Sequence, residues 1–229
     1  FPGLTAFNVL GYEKHKRRVS NHSSSFVYTY TLSALNQDRK RVSRHLVYSS
    51  HSDGSRLAAF TILTALTRAG FNTDEYRVMT PLEYIDDLKA LIYEKVPGNT
   101  LLHYIQKKRS TKHLLPLIKR TASWLHKFHS FKLPDEDRAK VPIFQLSNMN
   151  WTVEELQHYV DAADAHQGEK LKNLFTTLDI VEKKLRNNFK PGLTYGDLHP
   201  ENIITNSLSS RGLTMIDFTD VAMGDSLRD

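Results

Sequence analysis

The local preference of this sequence changes near residue 51, and that change limits the folds open to it. Before it, the chain favours extended backbone: Phe26-Val27-Tyr28-Thr29-Tyr30-Thr31-Leu32 and the run from Arg44 to Tyr48 are rich in β-branched and aromatic residues, which suit a pleated, half-buried surface. Val19-Ser20-Asn21-His22-Ser23-Ser24-Ser25 is small and polar ahead of the first run, and Leu35-Asn36-Gln37-Asp38-Arg39-Lys40 reads as the hairpin after it. Three antiparallel strands are the expectation. After Ser52-Asp53-Gly54-Ser55 the apolar positions Leu57, Phe60 and Leu63, with Ala59, Ile62 and Leu66, fall at helical spacing, and Gly70 supplies a stop.

Leu88 to Val96 reads as a buried strand ended by Pro97-Gly98, beyond which Leu101, Leu102 and Ile105 begin helical material. This places a lobe boundary at 96/97, giving a sheet-plus-helix unit over residues 1–96 and a mainly helical unit over residues 97–229. Leu117, Ile118, Thr121, Leu125 and Phe128 form one helix face from Leu114 on, with Pro116 tolerated if it stands in the first turn. Thr152 and Glu155 have the spacing of a capping box before Leu156, Tyr159, Val160 and Ala163, and Leu171, Leu174, Phe175, Leu178 and Leu185 mark a further helix. The class is α+β.

Composition narrows the function. Of the 229 residues none is cysteine, which excludes disulfides and thiolate metal sites and suits a reducing, cytoplasmic setting. No stretch approaches the ~20 apolar residues of a membrane span, and Phe1-Pro2-Gly3 reads as a trimmed start without a leader. A net charge of +6 invites a nucleic-acid reading. The basic runs Lys14 to Arg18 and Lys107 to Arg120 lack the interleaved aromatics of a stacking platform, however, and read as solvated faces. The scattered histidines, His103 and His113 among them, show no zinc-ligand spacing. With no coiled coil or repeat, a monomer is the default.

Chemistry concentrates near the end. Tyr195-Gly196-Asp197-Leu198-His199-Pro200-Glu201-Asn202 packs Asp, His, Glu and Asn into one loop between apolar stretches, and Met215-Ile216-Asp217-Phe218 sets a second carboxylate after another. Asp197 and Asn202 have the Asp-x-x-x-x-Asn spacing of a phosphoryl-transfer site, with Asp217 following an apolar strand pair. There a carboxylate takes the proton of the acceptor hydroxyl, while an amide oxygen and a second carboxylate suit the hard cation Mg²⁺.

The string from Leu193 to Ile204, with Ile216-Asp217-Phe218 and Gly224-Asp225, resembles the aminoglycoside phosphotransferase and choline kinase family, and Gly196-Asp197 in place of Arg-Asp favours that family over protein kinases. The last ~35 residues carry the specific signal; the rest is looser, through Leu91 to Gly98 as a hinge and Trp124-Leu125-His126-Lys127-Phe128-His129 where the family has a Leu-His pair. The resemblance implies a two-lobed protein-kinase-like fold with a small antiparallel-sheet N-lobe and a mainly helical C-lobe, whose C-terminal helices would lie past Asp229. It implies transfer of a phosphoryl group from ATP or GTP to a hydroxyl of a small molecule, with Asp197 as base, His199 near the transferred group, and Asn202 and Asp217 on Mg²⁺. Ser23, Ser24 and Ser25 would lie over the phosphates, and Glu94, Lys95 and Val96 would meet the adenine.

The sequence departs from the pattern at four places. The family's lysine on the third strand is replaced within Arg44 to Ser50 by Val, Tyr or Ser, and its partner glutamate by Ala59. The loop before Phe26 has no glycine, and Tyr195 stands where a His commonly precedes Gly-Asp. These departures support a second reading, a non-catalytic nucleotide-binding protein or pseudokinase.

Overall fold

The computed structural model describes residues 4–19, 23–73, 75–107, 110–144, 150–185, 191–206 and 212–229. The first half builds a five-stranded antiparallel sheet from β1 (Thr5–Val19), β2 (Ser24–Leu35), β3 (Arg41–His51), β5 (Pro81–Ile85) and β6 (Ala90–Glu94), in the order β1-β2-β3-β6-β5. The expected three strands are present, lengthened and joined by two more. β2 and β3 run in unbroken register from Ser25 opposite His51 to Leu35 opposite Arg41, and the Asn36 side chain closes their turn by accepting from the Lys40 N–H at 2.8 Å. Ser24 and Ser25, expected in a loop, are already strand residues; the turn at residues 20–22 lies outside the described residues.

Helix α1 (Ser55–Arg68) buries Ala59, Ile62, Leu63 and Leu66. It stops as the sequence predicts. Gly70, at φ +88, lets its own N–H reach the Thr67 carbonyl and the Phe71 N–H the Leu66 carbonyl, the paired bonds of a glycine-terminated helix.

A second, four-stranded sheet ties the two halves of the chain together. It joins β4 (Arg77–Val78), β7 (Asn99–Thr100), β9 (Ile203–Thr205) and β10 (Thr214–Met215) in the order β4-β10-β9-β7, and a third pairs β8 (Gly192–Thr194) with β11 (Ala222–Gly224). The helices of the second half are α2 (Leu101–Gln106), α3 (Thr111–Ser130), α4 (Asp135–Arg138), α5 (Asn150–Ala163) and α6 (Ala165–Leu185). In α3 the buried positions are Leu117, Thr121, Trp124 and Phe128, whereas Ile118 is exposed. The helix begins at Thr111, so Pro116 stands in its second turn; Pro116 and Lys112, whose carbonyl it cannot bond, are both exposed residues. The proposed capping box is not one, because α5 already includes Asn150 and Thr152 lies inside it.

One apolar core runs through both halves, from Leu63, Leu66, Phe71 and Leu91 to Trp124, Phe128, Tyr195, Met215 and Phe218. Its centre is an aromatic cluster in which Trp124 stacks on Phe128 at 5.0 Å and Tyr195 meets Phe218 edge-on at 5.1 Å, geometry that adds to the gain from burial alone. No helix among the described residues is long and apolar enough to cross a membrane.

Candidate active site

Two short strands set the chemistry. β9 and β10 are antiparallel with Ile203 opposite Met215, so the residue before β9 and the residue after β10 emerge at the same end. Those residues are Asn202 and Ile216, and the Ile216 N–H donates to the Asn202 carbonyl at 3.0 Å. The loop carrying Asp197 and the loop carrying Asp217 are thereby neighbours, although the carboxylates are far apart in sequence.

Within the first loop the Asn202 amide folds back onto Asp197. Its nitrogen lies 3.0 Å from the Asp197 carbonyl and 2.9 Å from Asp197 Oδ2, so the NH₂ group is turned toward Asp197 and the amide oxygen is left as an acceptor. His199 Nδ1 accepts weakly from the Glu201 N–H at 3.3 Å. Its Nε2 lies 3.0 Å from the Asn202 amide nitrogen and 3.3 Å from Asp197 Oδ2. Asp197 Oδ2 is thus held by its neighbours, and Oδ1 has no donor among the described residues.

The loop's entry is fixed by a residue that sequence reasoning missed. The fully buried Asp229 carboxylate accepts the Tyr195 N–H at 2.8 Å, the Gly196 N–H at 2.6 Å and His129 Nε2 at 2.8 Å. Gly196 adopts φ +85, and a Cβ there would stand 2.5 Å from the Asp220 carbonyl and 2.7 Å from Arg228 Nη1, so glycine is required at this place. Tyr195, buried in place of the expected His, donates its hydroxyl to the Ile216 carbonyl. It therefore ties the Asp197 loop to the residue that precedes Asp217.

Asp217 has the left-handed φ of +57 and accepts the Thr219 hydroxyl. It lines a cleft between the first sheet, α1 and the β10 loop, with a cavity volume of about 150 Å³, together with Lys16, Ser49, Arg56, Ala59 and Tyr93. The carboxylates of Asp197, Asp217 and Asp220 act on one another and on the neighbouring tyrosines. Burial and then the Asp217 charge push the Tyr93 hydroxyl up to about 12, and burial with the Asp217 and Asp197 charges pushes the Tyr195 hydroxyl upward as well. Burial and then the same two carboxylates raise the pKa of Asp220 as well. Carboxylates grouped in this way suit a site that holds cations.

No group of three or more His, Asp or Glu side chains among the described residues could hold a metal. The two neighbouring loops offer oxygens in small number, the Asn202 amide and the Asp217 carboxylate, which fits Mg²⁺, an ion that keeps water and takes the rest of its shell from phosphates.

The other expected residues lie elsewhere on the first sheet, and Glu94, opposite Leu46, is on the face away from Ser49. Ser25 is buried with its Oγ unpaired among the described residues, and Ser24 exchanges bonds with Ser52. At the hinge, the Glu94 N–H goes to Thr80 and the Lys95 N–H to His45. Lys95 lines a wider depression of about 390 Å³ with Thr29, Thr31 and His45. None of Ser23, Ser24, Ser25, Glu94 or Val96 lines the cavity beside Asp217.

Comparison with known proteins gives the fold and the family. Among solved structures the chain is similar to the GDP and kanamycin complex of APH(2")-IIia (TM-score 0.61, 17% identity, 96% of this chain and 70% of that one). It is also similar to the streptomycin–ATP complex of APH(2")-IIa (0.55, 16%, 99% and 69%) and to an ethanolamine kinase of Plasmodium vivax (0.53, 17%, 86% and 55%). At these identities the likeness is one of fold, and it establishes the kinase-like architecture. No curated protein matches by sequence. The model of the phosphotransferase enzyme family matches residues 36–229, most of the chain and all of both acidic loops, and the chain belongs to that family.

Proposed function

We propose that this protein transfers the γ-phosphoryl group of ATP or GTP to a hydroxyl of a small molecule, with Asp197 as the base. The observation that carries the reading is the Asn202 amide, which binds Asp197 through its nitrogen and offers its oxygen beside the loop of Asp217. One residue thus couples the proton acceptor to the metal ligands. Bound Mg²⁺ would neutralise charge on the phosphates.

The chain's own residues do the rest by position. Asp197 Oδ1 is open to an acceptor hydroxyl, and the proton moves to it as that oxygen becomes the nucleophile. His199 keeps Asp197 oriented. The cleft face of the first sheet offers a track for the nucleotide. Three of its rungs are Thr31–His45, Thr29–Val47 and Val27–Ser49. His45 accepts from the hinge at Lys95, and Ser49 lies beside Asp217. Four residues of extended chain, ~13 Å, separate these ends, which orients the base toward the hinge and the phosphates toward Asp217. With the Glu94 and Lys95 N–H groups already bonded, Val96 provides the hinge donor for the base.

The family neighbours solved with aminoglycosides and the ethanolamine kinase motivate a screen of amino sugars and amino alcohols. We place the protein in the cytoplasm as a monomer, and the lobe boundary at residue 96.

The test is turnover of ATP and GTP with Mg²⁺ across such an acceptor panel, beside Asp197→Ala. Acceptor-dependent product from the parent and none from the variant is the expected result; equal rates from both would reject Asp197 as base. Nucleotide binding with no turnover on any acceptor would favour the pseudokinase reading, which Ser49 and Ala59 at the lysine and glutamate positions support.

A further inference from the structure

The slot where the family places a lysine and a glutamate is formed here by Ser49 and Ala59, two small residues that both line the cavity beside Asp217. Two cations from other elements enter the same cavity. Lys16 of β1 is opposite Val27, Val27 is opposite Ser49, and Ser49 is opposite Leu91, so these four side chains stand in one row on one face of the sheet. Lys16 therefore reaches the position of the missing lysine from two strands away. Arg56 of α1 lies one helical turn before Ala59, on the same face.

Arg56 is the more telling of the two. It is only 8% exposed, and its Nε is buried without a hydrogen-bond partner among the described residues. A buried guanidinium is normally paired, because leaving its donors unmet costs free energy. Its charge acts on Tyr93 and Asp220, yet no carboxylate forms an ion pair with it among the described residues. A planar, permanently charged fork without an ion-pair partner, set in a cavity it shares with Lys16, matches a phosphate group, which it binds in bidentate fashion. Ser25, on the same sheet face as Val27 by strand alternation, has an unpaired buried hydroxyl but lies outside this cavity.

We propose that Arg56, assisted by Lys16, binds the phosphates of the nucleotide in place of the strand lysine. The assignment rests on the nucleotide reading above. Arg56 is left unpaired in the free protein because its partner arrives with the substrate, and the helix glutamate is dispensable because no strand lysine remains for it to orient.

Equilibrium binding of ATP and of adenosine, measured by calorimetry in EDTA, separates the possibilities without depending on turnover. Arg56→Met and Lys16→Met should each weaken ATP, Arg56→Met by about tenfold to a hundredfold, while adenosine binding stays unchanged. Arg56→Lys should recover part of the loss. The unfolding temperature of free Arg56→Met should equal or exceed that of the parent, since an unpaired buried charge is removed; a residue with a purely structural role would lower it. If the parent binds ATP and both Met variants bind it equally well, this assignment is wrong and the nucleotide reading stands. If the parent binds neither ATP nor GTP, with or without Mg²⁺, both fall together. Lys16, on an exposed strand, keeps the test informative should Arg56→Met fail to fold.

Discussion

Replacing Asp229 by Asn tests the claim that a distant carboxylate holds the Asp197 loop. The side chain is fully buried and receives the Tyr195 and Gly196 N–H groups at 2.8 and 2.6 Å, one on each oxygen. Asn keeps the shape but supplies one oxygen, so one backbone N–H must face an NH₂ group. A hydrogen bond to a charged group contributes about 1.5–3 kcal/mol, and a buried donor left unmet costs about 1–3 kcal/mol. The two together, which overlap in part, amount to about 3–5 kcal/mol, a large share of the ~5–15 kcal/mol that separates a native chain from its unfolded state. For a chain of this size that lowers the unfolding temperature by roughly 6–20 °C. Asp179→Asn is the control. It also removes one carboxylate, but from an exposed pair with Lys183 at 2.6 Å, worth about 0.3–0.5 kcal/mol. Thermal denaturation of both variants at one pH and ionic strength decides. Equal shifts for the two would show that the Tyr195–Gly196 turn does not depend on Asp229, and the positioning argument would fail.

Three further outcomes follow from the same region. Gly196→Ala must carry both the left-handed backbone, about 1–2 kcal/mol for a residue with a Cβ, and a 2.5 Å approach to the Asp220 carbonyl; its urea midpoint should fall by more than the conformational cost alone, and a parent-like midpoint would refute the close contact. Tyr195→Phe preserves the aromatic packing and removes only the donor to the Ile216 carbonyl, so a loss of about 1–3 kcal/mol is expected by denaturation, and no loss would mean that carbonyl finds another partner. Asp220 has its folded pKa raised by burial and by Asp197 and Asp217, so its ionisation works against the fold as pH rises above its unfolded value of ~4. Asp220→Asn should therefore unfold at a higher temperature than the parent at neutral pH, with the gap closing below pH ~4; a gap that stays constant from pH 3 to 8 would point to some cause other than charge.

What could be read from the sequence was local. Asp197, His199 and Asn202 interact across five residues or fewer, so their spacing is visible on the line, and α1 announces itself by its apolar period and by Gly70. Asp229 was not visible, because it meets its partners 33 and 34 residues away through backbone groups that any residue provides. β1 was hidden for a different reason. Nearly all of its residues are exposed, so neither face imposes an alternating pattern, and bulges interrupt its pairing with β2. Thr152 and Glu155 misled because cap spacing recurs by chance inside helices, and only the backbone shows where α5 begins.

The same distinction explains why the cations of the cleft escaped the motif. A proton acceptor must stand within hydrogen-bond reach of one oxygen, and a metal ligand must present its lone pair at a fixed place, so Asp197, Asn202 and Asp217 are tied to loop positions and leave a sequence signature. A charge that neutralises phosphate has a looser duty. The Coulomb interaction falls slowly with distance and ignores the direction of approach, and a long side chain can deliver its charge from any neighbouring strand or turn. The family match begins at residue 36, after both β1 and β2, so Lys16 lies outside it altogether, while Arg56 lies inside it three residues before the expected glutamate position. If Arg56 and Lys16 serve the phosphates, the loss of the strand lysine says little about activity, and the balance between an active kinase and a pseudokinase turns on Asp197 and its neighbours rather than on the lysine position.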